Sequence, residues 1–122
     1  MSLLVDNRDA LGAIPGVHAL IIGVSNYPFL AGGATPVADP WGLGQLTSAA
    51  ASAHAVFEWL KTAKMSAPLA TCRVLLSPSA AANEAPLAGL TDPATFDNVF
   101  AEAHEWRQDA ARHQSNVTVF YF

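Results

Sequence analysis

Three short apolar runs punctuate the chain, and two amphipathic stretches separate them. His18 to Val24 (His-Ala-Leu-Ile-Ile-Gly-Val) is continuous and rich in branched side chains. Continuous rather than alternating apolarity predicts a strand covered on both faces, as in a parallel sheet. Cys72 to Leu76 predicts a second strand and Val117 to Phe122 a third. Between the first two, Ala49, Ala53, Val56, Phe57 and Leu60 fall on one helical face. Thr47 or Ser48 is the expected cap, because a hydroxyl accepts from the free N–H groups of a first turn. The helix is expected to end near Lys64, ahead of Pro68. Burying Val56, Phe57 and Leu60 contributes roughly 1.5–3 kcal/mol each. A second helix is expected at Asp92-Pro93, with Asp as cap and Pro at the first position. Thr95 competes as cap three residues later. Phe96, Val99, Phe100, Ala103, Trp106 and Ala110 form its predicted buried stripe.

Turn chemistry separates these elements. Ser25-Asn26-Tyr27-Pro28 ends the first strand, Ser77-Pro78 the second, and Ser115-Asn116 the second helix. A long loop runs from Pro28 to about Leu46, and loops of that length in small domains carry function or lack order. Residues 79–90 read as a polar, alanine-rich connection and residues 1–16 as a lead-in. Strand, helix, strand, helix, strand is the order of an α/β fold, a mainly parallel sheet with right-handed crossovers and flanking helices. The first two strands should run parallel. The closing aromatic run reads as a central strand, not a margin.

Composition sharpens this picture. The chain has 122 residues, enough for one small domain, with 52% hydrophobic and 13% charged residues. An average globular domain carries roughly 25% charged residues. Ample apolar surface excludes disorder. So little charge implies that much of the chain is interior, which is unusual at this size and points to a larger native protein. The end on Phe120-Tyr121-Phe122 points the same way, toward a truncated form, a cleavage product or an incomplete record.

Formal net charge is −4 and no basic cluster exists, so a nucleic-acid face is not supported. Cys72 is the only cysteine, which excludes an internal disulfide and a zinc site of several thiolates. Val17 to Val24 is far too short to span a bilayer. Asp6, Asn7, Arg8 and Asp9 occupy the place of a signal peptide's apolar segment. The expectation is a cytoplasmic protein with no membrane partner and no cofactor.

Few side chains suggest chemistry. Cys72 opens a strand, whereas active sites sit at strand ends, so it reads as a small inert core residue. His18, His54, His104 and His113 show no metal-binding spacing. His54 precedes Glu58 by four residues and His113 follows Asp109 by four, so helix-surface pairing is the simpler account. Gly32-Gly33 and Gly42-x-Gly44 lack the strand, helix and lysine of a phosphate loop. Trp59 and Trp106 read as packing or domain contacts, and Trp41 is the tryptophan best placed to line a cleft. Asn116-Val117-Thr118 matches a glycosylation sequon but falls at a predicted strand.

Four segments, in order, resemble caspase-like cysteine peptidases of clan CD, in the metacaspase, paracaspase and bacterial caspase-like branch. His18 to Tyr27 is similar to that family's first strand, Leu46 to Leu60 to its following helix, Asp92 to Val99 to the opening of its next helix. Val117 to Phe122 resembles the strand that leads, in the family, into the Ser-Gly-His-Gly segment bearing the catalytic histidine. The likeness covers roughly residues 18 to 122 and implies a three-layer caspase-like fold, present here as a partial β-α-β-α-β unit. Ala51-Ser52-Ala53 stands where the family usually has an acidic Asn-Asp-Ala segment. Neither the histidine segment nor the nucleophile segment is present, so no catalytic residue transfers to this chain.

The resemblance implies a cysteine endopeptidase whose Cys–His pair lies outside these residues, with a peptide or protein substrate and the remainder of the domain as partners. This chain alone is expected to be inactive. Ligands of open α/β sheets sit at the carboxyl ends of the strands. Ser25, Asn26 and Tyr27 are therefore the expected substrate-binding residues. Residues 25–46 contain no Arg or Lys, so this loop supplies no aspartate-directed pocket. Asp39 is its only charge and points to a basic substrate residue. The alternatives are a non-catalytic caspase-like scaffold and a flavodoxin-like or Rossmann-like binding domain; no glycine-rich turn follows the first strand to favour a dinucleotide.

Overall fold

In the computed structural model, which describes residues 1–122, four strands and three α-helices follow the chain. They are β1 (Leu3–Asp6), α1 (Arg8–Leu11), β2 (Val17–Val24), α2 (Ala49–Thr62), β3 (Leu69–Ser77), α3 (Phe96–Ala110) and β4 (Val117–Tyr121). A 3-10 turn at Ala85–Leu87 interrupts the connection after β3. The fold is α/β, with a four-stranded mixed sheet in the order β1-β3-β2-β4.

β2 and β3 run parallel with Ala19 beside Cys72 and Ile21 beside Val74. Both are buried almost throughout, which is why neither alternates in sequence. Ala19, Ile21, Cys72, Val74 and Leu76 meet Ala50, Ala53, Phe57 and Leu60 of α2 in one core. Gly23 lets α2 approach, since a Cβ there would come within 2.6 Å of the Ala53 Cβ and 2.9 Å of the Ala49 carbonyl oxygen.

Two expectations need correction. Residues 1–16 are not a lead-in: β1 pairs antiparallel with β3, Leu3 beside Arg73, so the sheet is mixed. Three apolar residues on a half-covered margin leave too weak a pattern to read. The closing strand is also not central. Within these residues β4 takes the side of β2 that β3 leaves free, at the margin of the sheet. β4 runs parallel to β2, Ala19 beside Val119 and Ile21 beside Tyr121, with Val117 and Phe120 exposed.

The second helix keeps Val99, Ala103, Trp106 and Ala110 half-buried as expected, but not its two phenylalanines. Phe96 and Phe100 are 81% and 69% exposed and stack on each other, ring centroids 6.1 Å apart. Glu102 and Asp109 join Trp106 on the inward side, because the sheet presents Arg73 there. Arg73 Nη1 donates to Glu102 Oε2 at 2.8 Å and Nη2 to Asp109 Oδ2 at 2.9 Å. Arg8 Nη1 donates to Asp109 Oδ1 at 2.8 Å, and Trp106 Nε1 to the His18 carbonyl at 2.8 Å. A buried guanidinium needs carboxylates more than the helix needs its phenylalanines covered. Thr95 wins the cap, accepting from the Asn98 N–H, while Asp92 holds the terminal amine of Met1 and the Ser2 hydroxyl. Asn116 Oδ1 accepts from the Gly16 N–H and its amide reaches the Ala110 carbonyl, so the sequon asparagine is built into the fold.

Candidate functional site

The carboxyl ends of β2 and β4 lie side by side, and β2 passes directly into Ser25-Asn26-Tyr27. Ser25 is fully buried. Its hydroxyl donates to Glu84 Oε1 at 2.8 Å and accepts from the Ala50 N–H at 3.1 Å. Glu84 Oε1 also accepts from the Ala51 N–H at 3.0 Å, and Oε2 from the Ser79 N–H at 2.7 Å. Neither Thr47 nor Ser48 caps α2 through its side chain, contrary to the sequence expectation. Ser25 and Glu84 satisfy the first N–H groups from outside the helix, where its positive end favours a carboxylate. Burial works to raise the Glu84 pKa, but hydrogen bonds from Ser79, Ala51 and Ser25 outweigh it and hold it below the usual range.

The expected binding residues thus separate. The Ser25 hydroxyl is consumed inside the fold and does not face a ligand. Asn26 and Tyr27 line open surface at the end of β2. Gln45 fixes this wall: its Oε1 accepts from the Tyr27 N–H at 2.7 Å, and its Nε2 donates to the Tyr27 and Ala31 carbonyls at 2.8 and 3.1 Å. Gly33 is required beneath it, because a Cβ would collide with the Tyr27 and Pro28 carbonyl oxygens. Asp39 stands exposed in the long loop, accepts from the Trp41 N–H at 3.1 Å, and lines neither groove described below.

Two grooves meet at Ile22, Val24, Tyr27 and Phe122. One, about 340 Å³, runs toward α2 past Leu46, Ser52 and Tyr121. The other, about 580 Å³, runs toward α3 past Phe29, Phe96 and Val99. No charged residue lines either groove. The chain matches no family model, no curated protein and no solved structure.

The rest of the titratable inventory lies elsewhere. Cys72 is fully buried in the α2-side core, and burial pushes its thiol up to about 12, so no thiolate nucleophile forms there. His18 is buried with Nδ1 2.8 Å from Thr71 Oγ1; burial chiefly lowers its pKa. His54 sits 3.6 Å from Glu58 as expected, whereas His113 accepts from the Ser115 N–H and Asp109 turns inward to arginine. No group of three His, Cys, Asp or Glu is arranged to hold a metal ion. Trp41 and Trp59 are exposed, and neither lines the grooves. Neither groove brings a nucleophile and a base together. Sequence reading missed Glu84 and Gln45. Glu84 is the one acid in the alanine-rich segment 79–90, and that isolation was the available signal.

Proposed function

We propose that this chain is the amino-terminal part of a caspase-like cysteine endopeptidase, acting in the cytoplasm on peptide or protein substrates. The observation that carries the reading is the strand arrangement. β3, β2 and β4 run parallel in that order and gather their carboxyl ends around an open cleft, where sheets of this class bind ligands. The catalytic cysteine and histidine belong to residues outside these 122, since Cys72 is sealed and no histidine reaches the cleft. The margin position of β4 counts against the expected central strand, so the reading stands on strand order, direction and the sequence likeness. Helix content adds nothing on membranes beyond one fact: no helix is long and apolar enough to cross one.

The test is hydrolysis of a fluorogenic peptide library by the whole protein, with and without prior alkylation by iodoacetamide. Cleavage that alkylation abolishes supports the peptidase. Cleavage indifferent to alkylation, or none at all, removes it. The second reading, a non-catalytic caspase-like module, predicts binding of a peptide without turnover.

A further inference from the structure

We propose that the larger groove, between the 26–29 segment and the start of α3, receives an uncharged, bulky apolar side chain of the phenylalanine or leucine class. That the side chain belongs to a peptide rests on the peptidase reading; the preference for an apolar, neutral group rests on the groove alone. At about 580 Å³ it falls within the range of small-ligand sites. Phe29 and Phe96, 64% and 81% exposed, come from two separate segments and line this one opening together with Phe122. Apolar surface gathered around one cavity marks a binding surface more than scattered exposed residues do.

Charge matching decides the class of occupant. The wall holds no Asp, Glu, Lys, Arg or His. Ser77 Oγ already accepts from the Ala94 N–H and Thr95 Oγ1 from the Asn98 N–H, and the third hydroxyl on the wall, that of Tyr27, carries no charge. A carboxylate or guanidinium entering here loses water and gains no counter-charge. A phenyl or isobutyl group loses nothing of that kind and covers the three aromatic rings. The exposed Asn26 carboxamide at the rim is placed to hydrogen-bond a ligand's amide backbone. Asp39, the one charge that argued for a basic residue, is not on the wall. The groove therefore selects neither an acidic nor a basic residue.

The experiment is an NMR titration of the isotope-labelled protein with four N-acetyl amino-acid amides: phenylalanine, leucine, aspartate and arginine. The phenylalanine and leucine amides should shift Asn26, Phe29, Phe96 and Val99 and bind roughly tenfold or more tightly than the charged pair. Phe96→Ala, at a site too exposed to matter for folding, should weaken the phenylalanine amide at least about threefold. Val99→Glu should raise affinity for the arginine amide above that for phenylalanine amide. Equal or tighter binding of a charged amide to the unaltered protein, shifts confined to other surfaces, or shifts that follow protein concentration without ligand would overturn the proposal; the last would mean that a second copy covers the groove. The titration needs no turnover. Apolar binding without thiol-dependent cleavage leaves the groove and removes the peptidase, and cleavage beside a charged residue does the reverse.

Discussion

Replacing Glu84 by alanine should be among the most damaging single changes in this chain. The carboxylate is fully buried and accepts from the Ser25 hydroxyl and the Ala51 and Ser79 N–H groups. Alanine leaves three donors without this acceptor in a site with little access to water. A buried unsatisfied donor costs about 1–3 kcal/mol, and a lost helix cap about 1 kcal/mol. Because the terms share neighbours and do not add fully, the expected loss is about 3–6 kcal/mol. Total stability of such domains is about 5–15 kcal/mol, so the change is severe. Urea unfolding followed by circular dichroism should show a lower midpoint with an unchanged slope. Glu84→Gln keeps the volume but turns an amide NH2 toward one donor, and should lose about 1–3 kcal/mol. Sign follows from the lowered folded pKa. The stabilisation is present above the unfolded value of about 4.3 and drains as pH falls through the folded value, a slope that Glu84→Gln should flatten. A loss below about 1 kcal/mol in Glu84→Ala would refute the claim that this carboxylate organises the end of β2.

Other consequences follow from the buried groups. Asp109→Asn removes the buried carboxylate that Arg8 and Arg73 share, leaving Arg8 only Asp6 and Arg73 only Glu102, and should cost roughly 3–5 kcal/mol, while a paired Arg73→Met, Asp109→Leu change should recover part of it in urea melts. His18 is held neutral, with a folded pKa below its ordinary value; stability should be level above about pH 6.5 and decline below it, and His18→Gln should remove that slope in midpoints measured from pH 7.5 to 5. Cys72 should stay unreactive to a thiol reagent in the folded protein and react at the rate of unfolding in urea, whereas prompt native labelling would contradict its burial.

What the sequence made legible depended on how many faces of an element are covered. β2 and β3 are covered on both sides, so their unbroken apolar runs mark them from sequence alone. α2 is covered on one side by the sheet core, and Ala53, Phe57 and Leu60 fall where the helical period places them. α3 followed the same reasoning only in part, at Val99, Ala103, Trp106 and Ala110, because its inner face also carries carboxylates. Phe96 and Phe100 imitate a buried stripe, while Asp109 and Glu102, polar in sequence, do the inward work. β1 escaped because a short margin strand needs few apolar residues. Within the site, Asn26 and Tyr27 follow from strand-end logic alone. Ser25 lies beside them, but its hydroxyl is claimed by a residue 59 positions away, a contact no local pattern encodes.

The cleft exists only if the carboxyl ends of β2 and β4 are neighbours. Cross-strand nuclear Overhauser effects test this directly. Parallel pairing in the register described here predicts contacts of Ala19 with Val119 and of Ile21 with Tyr121, numbers rising together. Contacts of Ala19 with Tyr121 and Ile21 with Val119, or none between these strands, would contradict the arrangement and the binding site with it.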